Sequence, residues 1–267
     1  MSAGADGRAG SSAAGRDFSA ALEVAVEVAA ERLEALGDSV QRDAALGAMT
    51  TYRVGGAAAL FVHVTERGQL PIVADAARVS GLPVLVIGRG SNLLVADAGF
   101  AGLAVGLGEF DTTIDIDTRT ATLVASAGVA LPVLARKTAA AGLSGHVEWA
   151  VGVPGSIGGA VRMNAGGHGS DMAASLIEVL VFDLLDGAEH ALATSELGLG
   201  FRSSSLAARH VVLEATLRLD HGDAEKSARL ISEIVAWRRA NQPGGQNAGS
   251  VFVNPVPGEV SAGALID

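Results

Sequence analysis

The sequence predicts a mixed α+β fold arranged as two lobes. Three observations carry this. Helical spacings alternate along the chain with short strand-type runs, and no repeat of solenoid period is present. Two glycine-rich loops lie about 60 residues apart. The 267 residues are 49% hydrophobic, enough to bury one large core or two modest ones. Glycine accounts for 35 residues, so tight turns and close backbone approaches are expected throughout.

The elements follow in order. Leu22, Val26, Ala29, Leu33 and Leu36 share one helical face, with Ser19 to open the helix and Gly37 to end it. Strand-type text follows at 52–54 and, after the Gly55-Gly56 break, at 59–64. Leu70, Val73, Ala74 and Ala77 predict a helix stopped by Gly81. The run LPVLVIG reads as a buried strand ending at Gly88. TIDID (113–117) and TLVASA (121–126) alternate polar and apolar residues as half-buried strands do. Pro132 suits the first turn of a helix reaching Ala141. The segment from Trp149 to Val161, interrupted by Pro154 and several glycines, reads as loop. Strands are expected near 176–184 and 211–219, then an amphipathic helix at 224–240 with Leu230, Ile234 and Trp237 on its apolar face. The tail is loop-rich.

Composition excludes several functions. The net charge of −10 argues against broad affinity for nucleic acid or anionic lipid. No cysteine is present, which removes disulfides, thiolate nucleophiles and Cys-ligated metals. The six histidines lack HxxxH or HxH spacing, so no metal site is expected. No apolar run reaches the roughly 18–20 residues of a membrane span, and the first residues lack a signal core. Residues 1–17 read as a disordered leader, and a soluble cytoplasmic monomer is expected.

Four motifs carry chemistry. In GRGSN (88–92), Gly88 and Gly90 permit left-handed turns and close approach, while Ser91 and Asn92 offer donors beside bare amides. That suits a diphosphate. In isolation an ordinary strand-to-strand turn is the better reading of so short a motif. VGVPGSIGGAV (151–161) has Pro154 to stiffen the turn and Gly152, Gly155, Gly158 and Gly159 to expose successive amides. Neither loop is a GxGxxG Rossmann turn or a P-loop. Together they suggest one extended dinucleotide between two lobes. FRSSSL (201–206) places Arg202 where its fork could meet a carboxylate or phosphate, unless it is a surface arginine. AGSVFVNP (248–255) holds Ser250, which by itself reads as a turn residue.

The segments TYRVGGAAALFV, VLVIGRGSNLLV, GVPGSIGGAVRMNAG, FRSSSL, RRANQPGGQNAGSVFVNP and AGALID occur together and in order. This combination, from Thr51 to the C-terminus, resembles the UDP-N-acetylenolpyruvoylglucosamine reductase (MurB) family of peptidoglycan synthesis. The resemblance implies a PCMH-type FAD-binding fold of the vanillyl-alcohol-oxidase kind over residues 18–220. The start of a substrate-binding lobe would follow at 221–267. Gly88, Gly90, Ser91, Asn92 and Leu93, with Pro154, Gly155, Ser156, Gly158 and Gly159, would hold FAD. NADPH would be the reductant and a UDP-sugar the substrate. Arg202 would stabilise charge on the substrate carboxylate, Ser250 would donate a proton, and Asn254 would contact the substrate. The family continues past AGALI(D/E) to a late glutamate that this chain does not reach, so an incomplete third lobe and weak or absent turnover are expected. Val253 and His168 stand where many relatives carry lysine and tyrosine. The competing expectations are a non-catalytic flavin- or nucleotide-binding remnant and another flavin oxidoreductase of the same fold.

Overall fold

The structure, a computed structural model, describes residues 9–144, 147–242, 245, 252, 254–256, 260 and 262–266, the first ten of these by backbone alone. In the first lobe, helix α1 (Ala9–Arg32) precedes strands β1 (Val40–Ala44) and β2 (Ala58–His63). Helix α2 (Leu70–Ser80) leads to β3 (Val84–Ile87) and then β4 (Phe100–Gly106). The sheet order is β1-β2-β4-β3, parallel except for β1. Leu60, Val62, Leu103 and Val105 point to one face and meet Leu70, Val73 and Leu33 in the main core. Phe61, Ile87 and Ala104 point to the other, where Leu46 and Val95 cover them. Burial on both faces gives these strands their continuous apolar text.

The second lobe holds β5 (Ile114–Asp117), β6 (Thr122–Ser126), α3 (Leu131–Ala140), β7 (Leu143–Ser144) and α4 (Ile157–Arg162). After the small hairpin β8 (Gly166–Gly167) and β9 (Ser170–Asp171) come the long strands β10 (Leu176–Asp183), β11 (Ala188–Ala193) and β12 (His210–Arg218). Five of these form an antiparallel sheet in the order β11-β10-β12-β6-β5. The short β13 (Asp220–His221) pairs with β7, and α5 (Ala224–Asn241) and α6 (Ala262–Ile266) follow. Arg67, beside α2, bonds Glu189 of β11 and Glu214 of β12, joining the lobes at the surface.

Several sequence expectations need correction. Helix α1 starts at Ala9, well inside the segment read as a disordered leader, because its alanine-rich text has high helix propensity. Residues 52–54 form a bend followed by irregular backbone, not a strand. The first strand is instead β1, whose edge position leaves three consecutive exposed residues and no apolar signal. Strand β4 was hidden by its two glycines, and β11 by its exposed, alanine-rich surface. The glycine segment is not all loop: it contains a 3-10 turn (Glu148–Gly152) and α4. Helix α5 buries Ser227, Ile231 and Ile234, whereas Leu230 and Trp237 are 43% and 50% exposed. Its packed face therefore keeps Ile234 but is turned from the expected one, and on that face the Ser227 hydroxyl donates to Glu148 at 3.0 Å.

Candidate functional site

The two glycine loops meet. Strand β3 delivers the chain to Gly88, and the Ser91 hydroxyl donates to the Pro154 carbonyl at 3.2 Å. A Cβ on Gly155 would sit 3.0 Å from the Ser91 oxygen, and one on Gly88 would sit 3.3 Å from the Ser156 hydroxyl. Residues 88–92 and 154–159 thus form opposite rims of one cleft at the carboxyl ends of β3 and β4, where open parallel sheets bind ligands. Hollows of 170 and 510 Å³ flank Gly88. The smaller lies between the lobes, against Gly158, Gly159, Arg162 and His210. The larger is lined by His63, Arg89 and Glu109.

The first rim is held by backbone. Gly90 has φ +62°, and a Cβ there would overlap the Met49 carbonyl. The Thr51 amide donates to the Gly90 carbonyl at 3.0 Å. The segment after β1 therefore braces the turn. Among the described residues, no protein acceptor takes the amides of Gly88 to Asn92. Asn92 is exposed. Leu93 packs its side chain on the Ile87 face of the sheet, leaving its backbone as the part able to meet a ligand.

The second rim differs from the sequence expectation of successive free amides. The Ile157 amide donates to Val129 at 2.9 Å and that of Gly158 to Ala127 at 3.0 Å, tying the start of α4 to the second sheet. Gly152 lies under α5, where a Cβ would come within 2.8 Å of the Arg238 Cδ. Burial lowers the Arg238 pKa. Gly159 alone of the four faces open space, and it is exposed at the cleft. Gly88 and Gly159 line a hollow that side chains would narrow, with unpaired amides on the first rim, where Gly90 turns against Met49, and Arg162 beside the second. That donor set fits the diphosphate and ring system of a flavin nucleotide.

Arg202 stands at the edge of this cleft. Two residues later, the Ser204 hydroxyl donates to the carbonyl of Arg162, a cleft residue, at 2.7 Å. Arg202 adopts φ +54°, costly for a bulky side chain and of the kind that concentrates at functional sites. Its guanidinium lies 5.0 Å from the Phe201 ring centroid and donates to Gly166 O at 2.7 Å and Asn164 O at 3.4 Å. Both acceptors are neutral, and no carboxylate pairs with Arg202 among the described residues. Three of its five N–H groups remain for an anion. His168, at φ +51°, meets Trp237 of α5 edge to face at 5.3 Å, so the hairpin beside Arg202 touches the helix that follows the second lobe.

The wall at His210 is set by Asp183, which is buried and receives Arg209, His210 and the Leu185 amide. Burial pushes its pKa up. These partners outweigh burial and hold it below the ordinary carboxylate value. Asn254 is exposed and its side-chain oxygen accepts the Ala262 amide at 3.0 Å. Ser250 and Val253 lie outside the described residues. Sequence reasoning assigned no role to Asn164 or Arg162. The available signal was an asparagine two residues before a glycine pair, since asparagine tolerates the left-handed backbone found here at φ +38°. Among the described residues, no helix is long and apolar enough to cross a membrane and no acidic or histidine cluster could hold a metal.

Residues 58–192 match the FAD binding domain family, which gives the two-lobe α+β architecture its PCMH-type class and FAD as its ligand. The chain is 43% identical over 235 residues to the UDP-N-acetylenolpyruvoylglucosamine reductase of Gloeobacter violaceus, covering 86% of this chain and 77% of that protein. It is 41% identical over 233 residues to the reductase of the same name from Synechococcus sp. strain RCC307, covering 86% and 75%. The crystal structure of UDP-N-acetylenolpyruvylglucosamine reductase (MurB) from Thermus caldophilus superposes with a TM-score of 0.69 at 39% identity, over 85% of this chain and 79% of that one. With the glycine cradle, the arginine at its edge and relatives of this closeness, the chain belongs to the UDP-N-acetylenolpyruvoylglucosamine reductase family of FAD-dependent enzymes.

Proposed function

We propose that this protein reduces UDP-N-acetylglucosamine enolpyruvate to UDP-N-acetylmuramate with NADPH, in peptidoglycan precursor synthesis. The observation that supports this most directly is the placement of Arg202, uncompensated by any carboxylate among the described residues, at the edge of a cleft built from both glycine loops. FAD, when bound, supplies hydride relay between the nicotinamide and the enolpyruvyl double bond.

The residues divide the remaining work. The amides of Gly88 to Asn92 hold the diphosphate, with Ser91 fastening the rims together, Gly155 leaving room for Ser91, Gly158 and Ser156 seating the second rim, and Gly159 keeping the opposite wall low. Pro154 fixes the turn by its restricted φ and offers the carbonyl that anchors Ser91. Hydride addition to an enol ether conjugated with a carboxylate builds negative charge on the carboxylate side. Arg202 stabilises that charge through its free N–H groups, pre-oriented by the Gly166 and Asn164 carbonyls. The neighbouring carbon then takes a proton, a role that family resemblance gives to Ser250, with Asn254 on the substrate. A hydroxyl is a weak acid, but it serves here because its partner is a strong carbon base and lies close.

An anaerobic titration tests the reading. NADPH is expected to bleach the bound flavin, and the enolpyruvyl nucleotide to restore its absorbance. Arg202→Met is expected to slow the second phase by roughly a hundredfold while flavin content stays constant. Failure of the enolpyruvyl nucleotide to restore colour would remove the reductase reading. A folded protein that takes up no FAD would remove every flavin reading.

A further inference from the structure

We propose that Asn164 is the positioning residue for Arg202, an inference that rests on the reductase reading above. Asn164 is 3% exposed, and its one amide joins three separate segments. Its Nδ2 donates to Gly200 O at 3.0 Å and to the Asp171 carboxylate at 3.1 Å, and its Oδ1 accepts the Ala173 amide at 3.0 Å. Gly200 opens the tight turn that carries Arg202 and closes it by reciprocal bonds with Ser203 at 3.1 and 3.3 Å. The main chain of Asn164 and Gly166 supplies both acceptors for the Arg202 guanidinium. The backbone of Arg202 and the tip of its side chain are therefore fixed with respect to the same residue. A left-handed Asn164 facing a left-handed Arg202 is held only because each hydrogen-bonding atom of that amide has a partner. Asp171 fixes which way the amide faces, since a carboxylate there accepts only from the NH₂ side.

The test uses the FAD-loaded full chain. Asn164→Asp keeps the shape and the acceptor for Ala173 but loses the donors to Gly200 and Asp171. We expect its flavin to bind and be reduced by NADPH as in the parent, and reoxidation by the enolpyruvyl nucleotide to slow roughly tenfold. In an Arg202→Lys background the same change should add little, because its effect runs through the arginine. Adding Asp171→Asn, which returns a donor to the pair, should recover part of the rate. Side-chain ¹⁵N spectra should show the Arg202 guanidinium protons broadened in Asn164→Asp. That readout stands even if the nucleotide never reoxidises the parent, in which case the reductase reading fails and the positioning claim is judged separately. Additive losses with Arg202→Lys, unchanged reoxidation, or an unchanged Arg202 signal would overturn the proposal. Should Asn164→Asp not fold, Asp171→Ala removes one partner of the Asn164 amide at a half-buried position and must show the same pattern at smaller size; a neutral Asp171→Ala then overturns it.

Discussion

The two glycine-rich segments, GRGSN at 88–92 and GVPGSIGG at 152–159, do different work. In 88–92 the glycines let backbone approach backbone: Gly90 sits against the Met49 carbonyl in a left-handed conformation, and the amides are left free for a ligand. In 152–159 the amides of Ile157 and Gly158 are already used to fasten α4 to the second sheet, and Gly152 makes room for α5. The first loop binds with its main chain, while the second mostly removes bulk. Glycine content therefore locates a cleft without saying which wall provides the donors. That depends on which amides the fold has already paired.

The largest effect separating the two should come from Gly90→Ala. An alanine there meets both a left-handed backbone and the Met49 carbonyl, backbone that cannot rotate away. We expect a loss of about 3 kcal/mol or more, seen as a fall in melting temperature without FAD and as flavin lost on purification. A Gly90→Ala protein that melts normally and stays yellow would show that the first rim is not built on close backbone contact.

The wall beneath the second rim offers the next largest effect. Asp183→Asn replaces the charged acceptor for Arg209 and His210 with a neutral amide and should cost about 2 kcal/mol near neutral pH. Its pKa is depressed in the fold, so the stability it contributes is present above the ordinary carboxylate range and is lost as pH falls through the native value. Denaturation curves of parent and variant should therefore run apart at neutral pH and converge in acid. A gap that stays constant into strong acid would show that the charge of Asp183 contributes nothing.

Gly159→Ala separates binding from folding. The position lies within α4 and faces open space, so alanine should leave the apoprotein as stable or raise it by about 0.5–1 kcal/mol. The added methyl occupies the cleft, and FAD affinity should fall roughly tenfold, about 1.4 kcal/mol. Equilibrium flavin titration alongside thermal melting reads both numbers. Unchanged affinity would move the ligand away from Gly159.

How much of this was legible depended on what each residue had to satisfy. Helices α2 and α3 and strands β3, β5, β6, β10 and β12 wrote their burial into periodic apolar text, and the structure has them close to the expected bounds. Strand β1 did not, because an exposed edge needs no apolar residues. GRGSN was legible as a turn, but the second motif was read as loop although α4 occupies its latter part, and the pairing of the Ile157 and Gly158 amides was not legible, since their acceptors Val129 and Ala127 are distant in sequence. Arg202 was found through family resemblance. The amide of Asn164 was overlooked because its partners at 171, 173 and 200 converge only in the folded chain.

Gly152→Ala should give the smallest effect and the sharpest contrast with Gly90→Ala. Its backbone is not left-handed, so alanine meets no conformational penalty. The atoms it would touch are Arg238 Cδ at 2.8 Å and Ile234 Cγ2 at 3.1 Å, both on side chains of α5. The arginine can swing outward, so we expect a cost of about 0.5–1 kcal/mol with FAD affinity unaltered. The expected signature is local: faster hydrogen exchange in α5 and a loosened His168–Trp237 contact, read as a change in Trp237 fluorescence. A loss of flavin from Gly152→Ala equal to that from Gly90→Ala would mean that both loops bind by the same means, and the distinction between them would fall.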